Sequence, residues 1–136
     1  MNLKERLKNY SSLIAEKREL EIRLEEIEGT ELKAVNYDSI GKSYGISNTT
    51  EKRAFEIVEL KEKYNNLLKD KLIEINRIEN AMRVLTEKER QLIEQRYINN
   101  SSWEVVAYKI DRTSRTCKSI EREALRKMDK ILNLDV

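Results

Sequence analysis

Apolar residues return every three or four positions along most of this chain. In the first segment Leu3, Leu7, Tyr10, Ile14, Leu20, Leu24 and Ile27 recur at spacings of three, four or their sums, and Leu13 widens the stripe. Lys, Glu and Arg fill the positions between, which predicts an amphipathic helix ending near Gly29. Lys17 and Glu21 interrupt the seam and argue against a long, perfect coiled coil. A second stripe runs from Thr50 to Val84 through Ala54, Ile57, Val58, Leu60, Tyr64, Leu67, Leu68, Leu72, Ile75, Ile78 and Met82. Two such faces are satisfied either by an antiparallel hairpin or by pairing equivalent helices of two chains, and the pattern fits both. Between them, residues 29–50 read as a loop. Asn, Asp and Ser cluster there, Gly41 and Gly45 flank Lys42-Ser43-Tyr44, and Ser47, Asn48 or Thr49 is placed to cap the next helix.

From Leu85 onward the helices become short. Thr86 followed by Glu89 has capping-box spacing. The helix it opens turns Leu92, Ile93 and Tyr97 inward and stops near Asn99-Asn100. Ser101 or Ser102 caps a short helix bearing Trp103, Val106, Ala107 and Ile110. After the tight turn Asp111-Arg112-Thr113, Thr113 or Ser114 caps a last helix carrying Cys117, Ile120, Ala124, Leu125, Met128, Ile131 and Leu132. The chain therefore reads as all-α. Residues 1–84 are long amphipathic helices suited to dimerisation or assembly, and residues 85–136 are a helix-turn-helix suited to DNA. In that motif the last helix enters the major groove. Ala107 is the small residue expected where the short helix crosses the recognition helix. The residues left for DNA are Arg112, Thr113, Ser114, Arg115, Thr116, Lys118, Ser119 and Arg122. Their guanidinium, ammonium and hydroxyl groups suit base edges and phosphates.

Charge sharpens this assignment. The net charge is only +2, and residues 1–85 balance 16 basic groups with 16 acidic ones. Residues 109–130 carry eight basic groups against four acidic, so the positive excess sits where a phosphate backbone is expected. With one cysteine and no histidine, a disulfide within the chain and Cys/His zinc sites are excluded. No cofactor and no metal are expected. Gly41-Lys42-Ser43 superficially resembles a phosphate-binding loop, but Tyr37 stands where its upstream glycine belongs and no apolar strand precedes it. The carboxylates fall on solvated helix faces without a nucleophile or base to work with, so no enzyme is expected. Trp103 and Tyr97 occupy apolar positions and read as packing residues rather than base-stacking ones. Cys117 reads as a small buried hydrophobe. No apolar run is long enough for a signal peptide or a membrane span, so a soluble, cytoplasmic protein is expected.

The run from Leu85 to Met128, LTEKERQLIEQRYINNSSWEVVAYKIDRTSRTCKSIEREALRKM, resembles the fourth region of bacterial primary-type sigma factors. Leu85-Thr86 with Glu89 opens the match, and Arg96-Tyr97 closes its first helix. Ser102-Trp103-Glu104-Val105-Val106-Ala107 stands where that family has a Thr-Leu-Glu-Glu-Val-Gly-type run. Ile120-Glu121 and Ala124-Leu125-Arg126-Lys127-Met128 resemble the end of the family's recognition helix. Residues 1–84 do not resemble the promoter-melting part of sigma factors. The whole layout is similar to phage late-gene regulators of the ArpU and RinA type. That resemblance implies a transcription activator of phage or prophage late operons acting in a bacterial host, with double-stranded DNA as partner, a homodimer or higher homo-oligomer, and RNA polymerase as a further contact. Two other readings fit the layout: a small terminase subunit recognising packaging-site DNA, and a module that binds RNA polymerase alone.

Overall fold

The helix expected to stop at Gly29 runs on to Ile40. This emerges from a computed structural model that describes residues 2–40 and 48–135, with side chains described for 2–30 and 50–135. Among the described residues every element is helical. In order they are α1 (Leu3–Lys8), α2 (Tyr10–Ile40), α3 (Asn48–Met82), α4 (Glu87–Ile93), α5 (Trp103–Ile110) and α6 (Ser114–Leu132), and a π-helical turn, Glu94–Ile98, extends α4. The all-α expectation holds. A glycine inside a helix costs only about 0.5–1 kcal/mol relative to alanine. Gly29 sits among strong helix formers and has open space where a Cβ would stand, so the helix passes through it. The loop expected over 29–50 is thereby corrected: 29–40 are helical, and α3 already begins at Asn48. Gly41-Lys42-Ser43, Tyr44, Gly45 and the capping candidate Ser47 lie outside the described residues. The first stripe is also broken once, at Asn9, whose backbone N–H closes α1 onto Glu5 and Leu7.

The described residues form two units. One joins residues 1–14 to 73–136, and the other is 15–72. In the first, Leu7, Ile78, Leu92, Ile93, Val106, Ile110, Cys117, Ala124 and Met128 are fully or almost fully buried in one cluster, with Met82, Leu85 and Tyr97 beside them. Leu7 thus comes from the far end of the chain to fill the interior of the helix-turn-helix. Polar bonds hold its segment there: Arg6 Nε donates to Glu74 Oε1 (2.7 Å), Tyr10 Oη to Glu79 Oε1 (2.7 Å), and Ser11 Oγ to the Ile98 carbonyl (3.2 Å). Burial, reinforced by the Glu79 carboxylate, pushes the Tyr10 phenol up to about 12. The motif boundary at 84/85 runs through this core rather than around it.

The second unit is a hairpin. Glu16 meets Lys71 (2.8 Å), and Arg23 lies 5.8 Å over the ring of Tyr64. Moving up one helix moves down the other, which is the antiparallel arrangement. The polar break in the first stripe is an ion pair within the helix, Lys17 to Glu21 (3.8 Å). Leu20 is buried in this unit, whereas Phe55 and Val58 stand 64% and 58% exposed. No helix among the described residues is long and apolar enough to cross a membrane.

Candidate nucleic-acid interface

The three terminal helices are set by their caps. Thr86 and Glu89 form the expected capping box: Thr86 Oγ1 accepts from the Glu89 N–H, and Glu89 Oε1 accepts from the Thr86 N–H. The same Glu89 oxygen takes Lys127 Nζ at 2.7 Å, tying α4 to α6. Burial pushes the Glu89 carboxyl up, but the hydrogen bonds from Lys127 and Thr86 and the Lys127 charge outweigh it, so its pKa is lowered. Ser102, rather than Ser101, caps α5, and Thr113, rather than Ser114, caps α6.

The turn between α5 and α6 is a Schellman close. Arg112 N–H reaches the Ala107 carbonyl (3.1 Å), Asp111 N–H reaches that of Tyr108 (3.3 Å), and Asp111 takes the left-handed conformation at φ 60°. Aspartate tolerates that region better than most residues. Asn100, at φ 54°, reverses the chain before α5 in the same way. Two lysine and arginine contacts that the periodicity did not reveal brace these turns. Lys88 Nζ donates to the Ile110 carbonyl at the end of α5 (2.8 Å), and Arg96 donates to the Ser101 carbonyl (3.0 Å) while its guanidinium lies 4.7 Å from the Trp103 ring centre. Trp103 is therefore a half-buried packing residue, as expected.

With its start fixed, α6 divides by face. Cys117, Glu121, Ala124 and Met128 point inward. Arg112, Thr113, Ser114, Arg115, Thr116, Lys118, Ser119 and Arg122 are all exposed. The structure thus brings every one of the eight expected residues to solvent on the turn and the first turns of the helix. Three of the hydroxyls also have local duties: Thr113 Oγ1 caps and donates to Thr116 Oγ1 (2.9 Å), and Ser119 Oγ lies 3.4 Å from the Arg115 carbonyl. Thr113 is accordingly a structural residue first.

Electrostatics follow the same division. Further along α6, Lys127 is neutralised by Glu89 and Arg126 by Glu123. Among the described residues Arg115, Lys118 and Arg122 enter no ion pair, and Arg112 spends one guanidinium N–H on its neighbour's carbonyl. Uncompensated positive charge is therefore concentrated at the start of α6, where a helix would meet a duplex. Behind it, burial raises the Cys117 thiol pKa, opposed by the Arg112 charge, which suits a packing role and not a reactive one. Burial, then the Glu121 carboxylate, likewise pushes Tyr97 up to about 12. No group of three or more metal-binding side chains occurs among the described residues.

Comparison with curated proteins and comparison with solved structures each returned no match. The family model described as Sigma-70, region 4, matches residues 81–130, which takes in the last two residues of α3, the capping box, both turns and nearly all of α6. The C-terminal part of this chain is a sigma-70 region 4-like helix-turn-helix.

Proposed function

We propose that this protein is a sequence-specific DNA-binding transcription regulator, an activator of phage or prophage late genes. The observation that carries this reading is the row of cations, Arg112, Arg115, Lys118 and Arg122, that enter no ion pair among the described residues and stand exposed at the start of a capped recognition helix. Ser114, Thr116 and Ser119 lie among them as hydroxyl partners for base edges and phosphates. Self-association belongs to the same reading. It falls to residues 15–72, where Phe55 and Val58 are uncovered, because residues 1–14 and 73–84 already pack on the helix-turn-helix. Footprinting of the full chain on its own upstream region and on late promoters tests the proposal. The expected result is a protected site whose occupancy falls steeply with salt and is lost in Arg115→Ala/Lys118→Ala, with folding unchanged. Absence of any footprint, together with reporter output indifferent to these substitutions, overturns it.

One observation favours a second reading, a polymerase-binding module that needs no DNA. On α5, Val105 is exposed and Tyr108 is 87% exposed, one helical turn apart, so this short helix presents an apolar face outward. Polymerase capture that survives replacement of Arg115, Lys118 and Arg122 but fails in Val105→Ser/Tyr108→Ser selects this reading over the first.

A further inference from the structure

The first residues of the chain lie beside the recognition helix, and they bring a cation with them. An open groove runs between α1 and the outer face of α6. Asn2, Lys4 and Arg6 line one wall, and Arg122, Arg126 and Asp129 line the other. Along α6, Arg115, Ser119, Arg122 and Arg126 succeed one another at steps of four, three and four, so they form one row on one face. That row starts in the expected base-reading turns and ends in the groove.

The charges in the groove are not equally committed. Arg6 is held by Glu74 at 2.7 Å, and Arg126 forks onto Glu123 within its own helix. Arg122 enters no ion pair among the described residues. Lys4 is 57% exposed along its side chain, and its ion-pair partner among the described residues, Glu121 on the inner side of α6, stands at 3.7 Å. At that distance the ammonium makes no short hydrogen bond to the carboxylate, so it can stay beside Glu121 and turn its N–H donors to a second anion in the groove.

Length says which anion. With a rise of about 1.5 Å per residue, Arg122 lies about 12 Å and Arg126 about 18 Å along the axis from Ser114. The major groove is about 12 Å wide. A helix whose opening turns lie on the bases therefore carries Arg122 and Arg126 to the rim, where phosphates stand. The wall across from them is Lys4.

We propose that Lys4, with Arg122, forms a phosphate clamp on the DNA backbone flanking the major groove, so that α1 is part of the DNA interface. This rests on the DNA-binding reading above. The clamp positions the duplex without reading its sequence. It also joins α1 and α6 in one task, since the segment that fills the core through Leu7 holds Lys4 at the groove.

The test uses the full chain and a short duplex of random sequence, because phosphate contacts do not depend on bases. Binding is measured across a series of salt concentrations. Lys4→Ala, measured where the variant is fully folded, is expected to lower the slope of log K against log salt by about 0.9, the loss of one phosphate contact. Lys4→Arg is expected to restore it. Lys8→Ala, which removes the same charge from an exposed position of α1 outside the groove, is expected to keep the full slope. An unchanged slope in Lys4→Ala, alongside a wild-type protein that binds and an Arg115→Ala variant that binds less, overturns the clamp and leaves the DNA reading standing. An equal loss in Lys8→Ala also overturns it, by reducing the effect to net charge. Failure of the wild-type protein to bind any duplex overturns both.

Discussion

The two units of this protein are made from similar helices and differ in what the helices cover. In residues 15–72, Leu20 is buried and Leu68 half-buried while Phe55 and Val58 stay in water, and charged pairs such as Glu16–Lys71 bridge the helices. In the unit built from 1–14 and 73–136, the short helices α1, α4 and α5 meet α6 and the end of α3, and side chains from all five close over Leu92, Ile93, Cys117 and Met128. Helical periodicity states which face will be apolar. It does not state how many neighbours that face will find. A two-helix hairpin offers each stripe one partner, whereas short helices crossing at turns enclose a side chain on all sides, and enclosure is what contributes stability.

The largest expected effect breaks this contrast at the residue that comes from farthest away. Leu7 is fully buried, and its removal opens a cavity inside the core cluster, where α1 packs on the π-helical turn that extends α4. Leu7→Ala is expected to destabilise the helix-turn-helix unit by about 2–5 kcal/mol, read from urea unfolding. A change of a few tenths would show that the N-terminal segment decorates this core rather than completing it.

Next comes the polar counterpart. Glu89 is buried, serves the capping box and receives Lys127 at 2.7 Å. Glu89→Gln is expected to cost about 1.5–3 kcal/mol at neutral pH, the range for a hydrogen bond to a charged group. Because the folded protein holds this carboxyl below its ordinary pKa, it binds fewer protons than the unfolded chain as pH falls. Its contribution is therefore full above the ordinary carboxylate range, and it is lost as pH drops through that range toward the folded value. Unfolding curves of wild type and Glu89→Gln should converge as the solution is acidified. A constant gap down to low pH would mean that shape, and not charge, holds α4 to α6.

Much of this was legible beforehand, and the gaps have physical causes. The capping box at Thr86 and Glu89, the stop at Asn99-Asn100 and the turn at Asp111 are local events, set by side chains within six residues of each other, so the sequence displays them directly. The eight exposed positions followed from placing that turn correctly, since a helix face is fixed once its start is known. Gly29 misled because a glycine carries a penalty that good neighbours outweigh, and only their sum decides. Leu7 in the core, Lys127 on Glu89 and Lys4 on Glu121 were hidden for a different reason. Each joins residues far apart in the chain, and periodicity within one helix holds no information about which other helix it meets.

The smallest expected effect on folding lies in the second unit and sharpens the comparison from its other side. Phe55 is large, apolar and 64% exposed, so replacing it removes little burial from the single chain. Phe55→Ser is expected to change unfolding stability at low protein concentration by no more than about 0.5 kcal/mol, as surface substitutions do. If residues 15–72 pair two chains, the same substitution must weaken that pairing, because Phe55 and Val58 are the apolar surface a partner would cover. Sedimentation across a wide concentration range reads this directly, with a weaker self-association in Phe55→Ser than in wild type as the expected outcome. Equal association of both proteins would leave the exposed stripe without a role in assembly. A large loss of stability in the dilute variant would show that the hairpin encloses Phe55 after all, and the contrast between the two units would then fall.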